Sequence, residues 1–219
     1  MKKKPLFLTI ASVMALSLMS ATGAARAQDA NAGAKKVDMC LGCHNIPGYQ
    51  GSFPEIYKVP KIAGQNAKYI VAALTEYNKG DRKHPTMHAI ATSLSNQDMA
   101  DVAAYYEQLG KGEPAPATPP APPDSVAKLL AQANCTSCHG ANFSKPIDPS
   151  YPKLAGQYAD YLYAAMKAYQ TDGNPHIGRN NAIMMGMARP FTHAQIKSIA
   201  AYVSSLPGEI KTVQLPEFR

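Results

Sequence analysis

All four cysteines of this 219-residue chain fall into one repeated pattern, Cys40-Leu41-Gly42-Cys43-His44 and Cys135-Thr136-Ser137-Cys138-His139. Two thiols three positions apart, followed at once by an imidazole, form the arrangement that attaches a porphyrin covalently. Each thiol can bond one vinyl-derived carbon of the same macrocycle, and the adjacent histidine then reaches the iron from that side. A Cys₄ zinc site or structural disulfides would use the same cysteines. Neither needs a histidine after each pair, yet both pairs have one. The pattern favours two covalently bound c-type haems, held through Cys40, Cys43, Cys135 and Cys138, with His44 and His139 on the irons. No cysteine is left for thiolate ligation.

The sixth iron position needs a second ligand, and methionine, histidine, lysine or open coordination are the choices. The first half offers His84-Pro85-Thr86-Met87-His88, expected as a loop between two helices; the second offers Ile183-Met184-Met185-Gly186-Met187. Met87 lies eight residues before Ser95, and Met184 lies eight before Thr192, each a predicted helix cap. That correspondence selects Met87 and Met184, with Met185 and Met187 as alternatives. Met39 and Met99 read as core packing. His84 and His88 leave a bis-histidine site open in the first half, whereas His176 and His193 read as solvated. A Met/His pair raises the potential relative to stronger donors and leaves the iron no open position. That is the design of an electron carrier rather than a catalyst.

The elements that must position these residues are themselves duplicated. Pro60-Lys61-Ile62-Ala63-Gly64-Gln65 matches Pro152-Lys153-Leu154-Ala155-Gly156-Gln157, and Ala103-Ala104-Tyr105 matches Ala200-Ala201-Tyr202. Arg82 and Arg179 each stand five residues before their methionine. Short helices over 31–39 and 125–134 are expected to run into the two signatures. Apolar residues at helical spacing predict further helices over 66–78, with Gly80 as the stop, and over 158–169. Ser95 with Asp98, and Thr192 with Gln195, resemble capping boxes opening helices that end near Leu109 and Leu206. No strand pattern stands out, and the expected fold class is all-α, in two domains each packed around its haem. The proline-rich stretch 113–123 reads as a semi-rigid spacer. It divides the chain into a signal peptide over 1–27, a first domain over 28–112 and a second over 124–219. Domains this small bury little surface and need a staple, which a covalent haem would supply.

Lys2, Lys3 and Lys4, the apolar stretch from Leu6 to Met19, and Ala25-Arg26-Ala27 read as a secretory signal with its cleavage site. A periplasmic protein without a membrane anchor is the expectation. Loss of that segment takes the 22 basic residues to 18 against 15 acidic ones, a net charge of +3. Four haem propionates would bring the ferrous holoprotein to about −1, so the basic balance gives no support for nucleic-acid or anionic-lipid binding.

The doubled signature, the repeated P-K-[IL]-A-G-Q, the loop methionines and the closing A-A-Y helices together resemble the dihaem cytochrome c4 family, two class I cytochrome c domains in tandem, over nearly all of 28–219. The resemblance implies helical domains with haem edges close together. It also implies that the Pro60 and Pro152 carbonyls accept the proton-bearing nitrogen of each haem histidine; Arg82 and Arg179 are candidates to pair with propionates, with solvated arginines as the alternative. The function implied is electron transfer from a quinol-oxidising complex or a dehydrogenase to a terminal oxidase. The alternative is a cytochrome subunit of a dehydrogenase of the flavocytochrome sulfide dehydrogenase type, with the apolar tail 207–219 docked on the partner or folded back on its own domain. A dihaem peroxidase or thiosulfate-oxidising enzyme is the third reading; the first needs an iron that opens, the second a cysteine ligand this chain lacks.

Overall fold

The computed structural model describes residues 27–215. Residues 1–26 of the expected signal over 1–27 and the last four residues, Phe218 among them, lie outside the described residues.

The first unit begins with α1 (Ala30–Ala34), capped by the Asp29 carboxylate on the Asn31 amide. The helix expected over 31–39 breaks after Ala34 and restarts as α2 (Asp38–His44), which carries the first thiol pair. Two-residue strands β1 (Gln50–Gly51) and β2 (Tyr57–Lys58) pair antiparallel in the loop that follows. Next comes α3 (Ala67–Lys79), closed by Gly80 in the left-handed region at φ 80°. Then β3 (Arg82–Lys83) leads to α4 (Pro85–Thr92) and α5 (Asn96–Leu109). The second unit repeats this course with α6 (Asp124–Gln132), α7 (Cys135–His139), α8 (Ala159–Gln170), β4 (Gly178–Arg179), α9 (Ala182–Ala188) and α10 (His193–Ser205). Both predicted capping boxes form, Ser95 with Asp98 and Thr192 with Gln195.

Each unit has its own apolar core. Leu41, Ile70, Leu74, Met99, Val102 and Tyr106 build the first; Phe143, Leu162, Phe191, Ile196, Ile199 and Val203 build the second. Met99 is buried as expected, whereas Met39 is 48 % exposed and is no core residue. The shared glycine of the repeat has a steric reason. Gly64 and Gly156 take φ of 81° and 75°. Their amides donate to the carbonyls of Tyr106 and Val203 near the end of the closing helix, at 2.8 and 3.1 Å. A Cβ on Gly64 would come within 2.6 Å of the Glu209 carbonyl oxygen, so only glycine fits that approach.

Three features depart from the sequence reading. Short strands exist after all, and the pair β3–β4 joins the two units, with Arg82 opposite Arg179. The proline-rich stretch lies against the second unit instead of standing free. Its Ala115 amide donates to Glu209 Oε1, and its Pro116 and Pro120 carbonyls accept from Asn142 and Tyr202. Proline has no N–H of its own, so this segment is held through its carbonyls and one alanine amide.

The tail is the third departure. It neither folds onto its own unit alone nor projects outward, but crosses to the first unit. The Lys211 amide donates to the Ala63 carbonyl at 2.9 Å, and Val213 and Leu215 pack on the first core. Asn45, next to His44 and 3 % exposed, donates from Nδ2 to the Val213 carbonyl at 2.7 Å and accepts the Tyr106 hydroxyl at 2.9 Å. Asn45→Ala leaves the buried Tyr106 hydroxyl and the half-buried Val213 carbonyl without this bond, and a loss of about 2 kcal/mol is expected. Denaturant unfolding of the holoprotein measures it; a loss below the error of that experiment would show that water satisfies both groups.

Candidate haem centres

The second centre is a cavity of 330 Å³ lined by Cys135, Cys138, His139, Leu162, Met184 and Phe191 among others. Asn134, at φ 46°, turns the chain out of α6 and into α7, so the predicted helix over 125–134 stops at Gln132. The thiols and His139 then follow on one short helix. His139 Nδ1 lies 3.3 Å from the Pro152 carbonyl oxygen. A carbonyl only accepts, so Nδ1 carries the proton and Nε2 keeps its lone pair. In the first unit His44 Nδ1 stands 2.9 Å from the Pro60 carbonyl oxygen. Burial lowers the pKa of both imidazoles, against the opposing pull of these carbonyl bonds. The neutral ring that results is the form able to bind a metal. Burial also pushes the Cys40 thiol up to about 11 and raises Cys135.

The methionines sit on short helices, not in loops. Met87 is the third residue of α4, whose cap is His84, and Met184 is the third residue of α9, whose cap is Asn181. In each case the cap side chain accepts from the methionine's own amide, at 3.3 and 3.1 Å. The eight-residue spacing noted in the sequence thus reflects a repeated helical turn. Met184 and Met187 line the second cavity, and Met185 is not among its lining residues; positions three apart share a helix face, adjacent ones do not. Met87 packs against the first core, as Cys40 also does. His84 stacks edge-on to Phe53 and Tyr77, and His88 is bonded through Nδ1 to the Tyr77 carbonyl. His176 and His193 are exposed, as expected.

Arg82 and Arg179 meet between the units. Arg82 is ion-paired with Glu76 at 2.7 Å and stacks over Tyr69 and Tyr77. Arg179 donates to the Tyr161 hydroxyl and stacks over Tyr161 and Tyr169, with no carboxylate partner among the described residues. Both guanidinium groups border the second cavity. Two cations, Arg82 buried and Arg179 half-buried, against one carboxylate leave positive charge that an anionic group would balance. Apolar walls, two thiols, a neutral imidazole and this cationic edge fit a haem.

The sequence model of the Cytochrome c family matches twice, over residues 30–110 and 124–207. The chain belongs to the cytochrome c family. Its likeness extends over both units to cytochrome c4 of Stutzerimonas stutzeri, 30 % identical over 89 % of this chain and 97 % of that one. A thiosulfate dehydrogenase electron acceptor of Thiomonas intermedia is 27 % identical over 92 % of this chain and 94 % of its own length. Among solved structures, reduced cytochrome c4 from Pseudomonas stutzeri superposes with a TM-score of 0.61 at 27 % identity, covering 83 % of this chain and all of that one. The chain is a two-domain, mostly helical member of the cytochrome c4 branch. It carries two covalent c-type haems, on Cys40 with Cys43 and on Cys135 with Cys138, and is a dihaem electron-transfer cytochrome.

Sequence reasoning missed the contacts between the units. Gln65 and Gln157 belong to the repeated motif, but nothing in it says that each reaches the other unit. The pairing of Arg82 with Arg179 was equally invisible, because the residues are 97 positions apart.

Proposed function

We propose that this chain is a periplasmic electron carrier, taking electrons from a quinol-oxidising complex or a dehydrogenase and passing them to a terminal oxidase. In this reading His44 and Met87 ligate the first iron, and His139 and Met184 the second. The observation that carries it is that Met184 and His139 line one cavity with the second thiol pair. Each haem, when bound, supplies reversible one-electron chemistry. The protein's part would be to keep both iron-binding side chains of each unit in place in either oxidation state. Pro60 and Pro152 hold the imidazoles by their carbonyls, and the caps His84 and Asn181 hold the methionine turns. Arg82 and Arg179 balance propionate charge. Ile183 and Met187, 60 % and 41 % exposed, form an apolar rim suited to brief encounters with a redox partner. No helix among the described residues is long and apolar enough to cross a membrane.

A redox titration followed in the visible spectrum tests the reading. Both haems are expected to titrate reversibly at clearly positive potentials and to stay low-spin throughout; a high-spin, low-potential haem would sink it. A second reading, a dedicated acceptor bound to one dehydrogenase, draws on the relative named as a thiosulfate dehydrogenase electron acceptor. Its mark is stoichiometric co-purification with that enzyme.

A further inference from the structure

The two copies of P-K-[IL]-A-G-Q grip one another about a local two-fold relation. Gln157 Oε1 accepts from the Lys61 amide at 3.0 Å, and its Nε2 donates to the Lys61 carbonyl at 2.9 Å. Gln65 does the same to Lys153, accepting from its amide at 2.9 Å and donating to its carbonyl at 2.9 Å. Both glutamines are almost fully buried, 2 % and 4 % exposed. Each amide so gripped belongs to a peptide plane that already has another partner. The Lys61 N–H and the Pro60 C=O are two ends of one peptide unit, and the Pro60 oxygen accepts from His44. The Lys153 N–H and the Pro152 C=O are likewise one unit, whose oxygen accepts from His139.

A peptide group is a resonance system, so a hydrogen bond donated by its nitrogen makes its oxygen a better acceptor. We infer that Gln157 tunes the haem of the first unit and Gln65 tunes the haem of the second, each from the opposite domain through one peptide plane. The inference rests on His44 and His139 being iron ligands. A stronger bond from Nδ1–H to the proline carbonyl gives the imidazole more anionic character and makes it a better donor to iron. That favours the ferric state and lowers the potential. Gln157 and Gln65 are positioning residues in this scheme, since neither touches the haem histidine. The arrangement also makes each potential depend on the two domains being docked.

The test is a redox titration of holoprotein variants, with the two haems distinguished by their paramagnetically shifted methyl resonances. Gln157→Met keeps the side-chain length and removes the bond to Lys61. The expected result is a rise in the potential of the first-unit haem, worth about threefold in its one-electron equilibrium constant, or ~30 mV at 59 mV per tenfold. The second-unit haem, in whose domain residue 157 lies, should stay put. Gln65→Met should give the mirror result. Local damage predicts the opposite pattern, a shift in the haem of the mutated domain, and that outcome overturns the inference. If Gln157→Met separates the domains, Gln157→Glu supplies the second arm. Its carboxylate still accepts from Lys61, and the first-unit haem should shift downward by more than the second. Equal shifts in both haems would mean plain charge repulsion and would also overturn it. Amide exchange at Lys61 checks that the bond was removed; faster exchange with an unmoved potential refutes the tuning alone. A His44→Gly variant that keeps a low-spin first haem refutes the ligand reading itself, and this inference with it.

Discussion

Met184→His is expected to lower the potential of the second-unit haem by on the order of 0.2 V, well inside the ~0.8 V range over which axial ligands set haem potentials. Imidazole is a stronger donor than a thioether and stabilises the ferric state, while methionine favours the ferrous one. The same variant should remove half of the Met-to-ferric charge-transfer absorbance, because in the proposed ligand set Met87 still serves the other iron. Met87→His is expected to do the reverse, leaving the second haem unchanged. Redox titration with the near-infrared edge of the visible spectrum reads both effects. If Met184→His leaves the spectrum intact, Met187 is the next residue to exchange, since it shares the cavity and Met185 does not.

Loss of the second haem is expected to unfold the second unit. With Cys135 and Cys138 both changed to alanine, the porphyrin has no covalent hold there. An empty cavity of 330 Å³ costs ~8 kcal/mol at about 24 cal/mol per Å³. That is comparable with the whole stability of a domain of this size, on the order of 5–13 kcal/mol. Collapse of the walls cannot recover much of it, because Leu162 and Ile199 belong to the helices α8 and α10 and the Phe191 carbonyl is tied to α8 by Gln170. Far-ultraviolet circular dichroism should lose the helical signal of the second unit and thermal unfolding should lose cooperativity. The tail and the β3–β4 pair bind the units together, so the first unit is expected to lose stability as well. Full native helicity in the double variant would show that the core is complete without the haem.

Much of each centre was legible in the chain because its chemistry is local. A thiol pair with a histidine beside it occupies a single turn of helix, and the repeat supplied the correspondence between Met87 and Met184. The Gly80 cap and both capping boxes were readable for the same reason, since each is settled within four or five residues. The strands were missed because two residues apiece leave no alternation to read. The break between α1 and α2 was missed because 31–39 keeps an apolar face through it, while Val37 turns inward at 1 % exposure. The methionine segments were placed in loops because helices of seven and eight residues carry too little periodicity to stand out.

What the sequence determined by itself was the number of haems, the residues that attach them and the duplication of the domain. Those follow from residue types at short, fixed spacing. Tertiary structure alone decided how the two domains meet. The Gln65 and Gln157 grips, the Arg82–Arg179 pairing, the crossing of the tail to Asn45 and the docking of the proline segment all join groups far apart in the chain. Each depends on burying polar groups that must find partners at once, and which partner is in reach is settled only when both cores are packed.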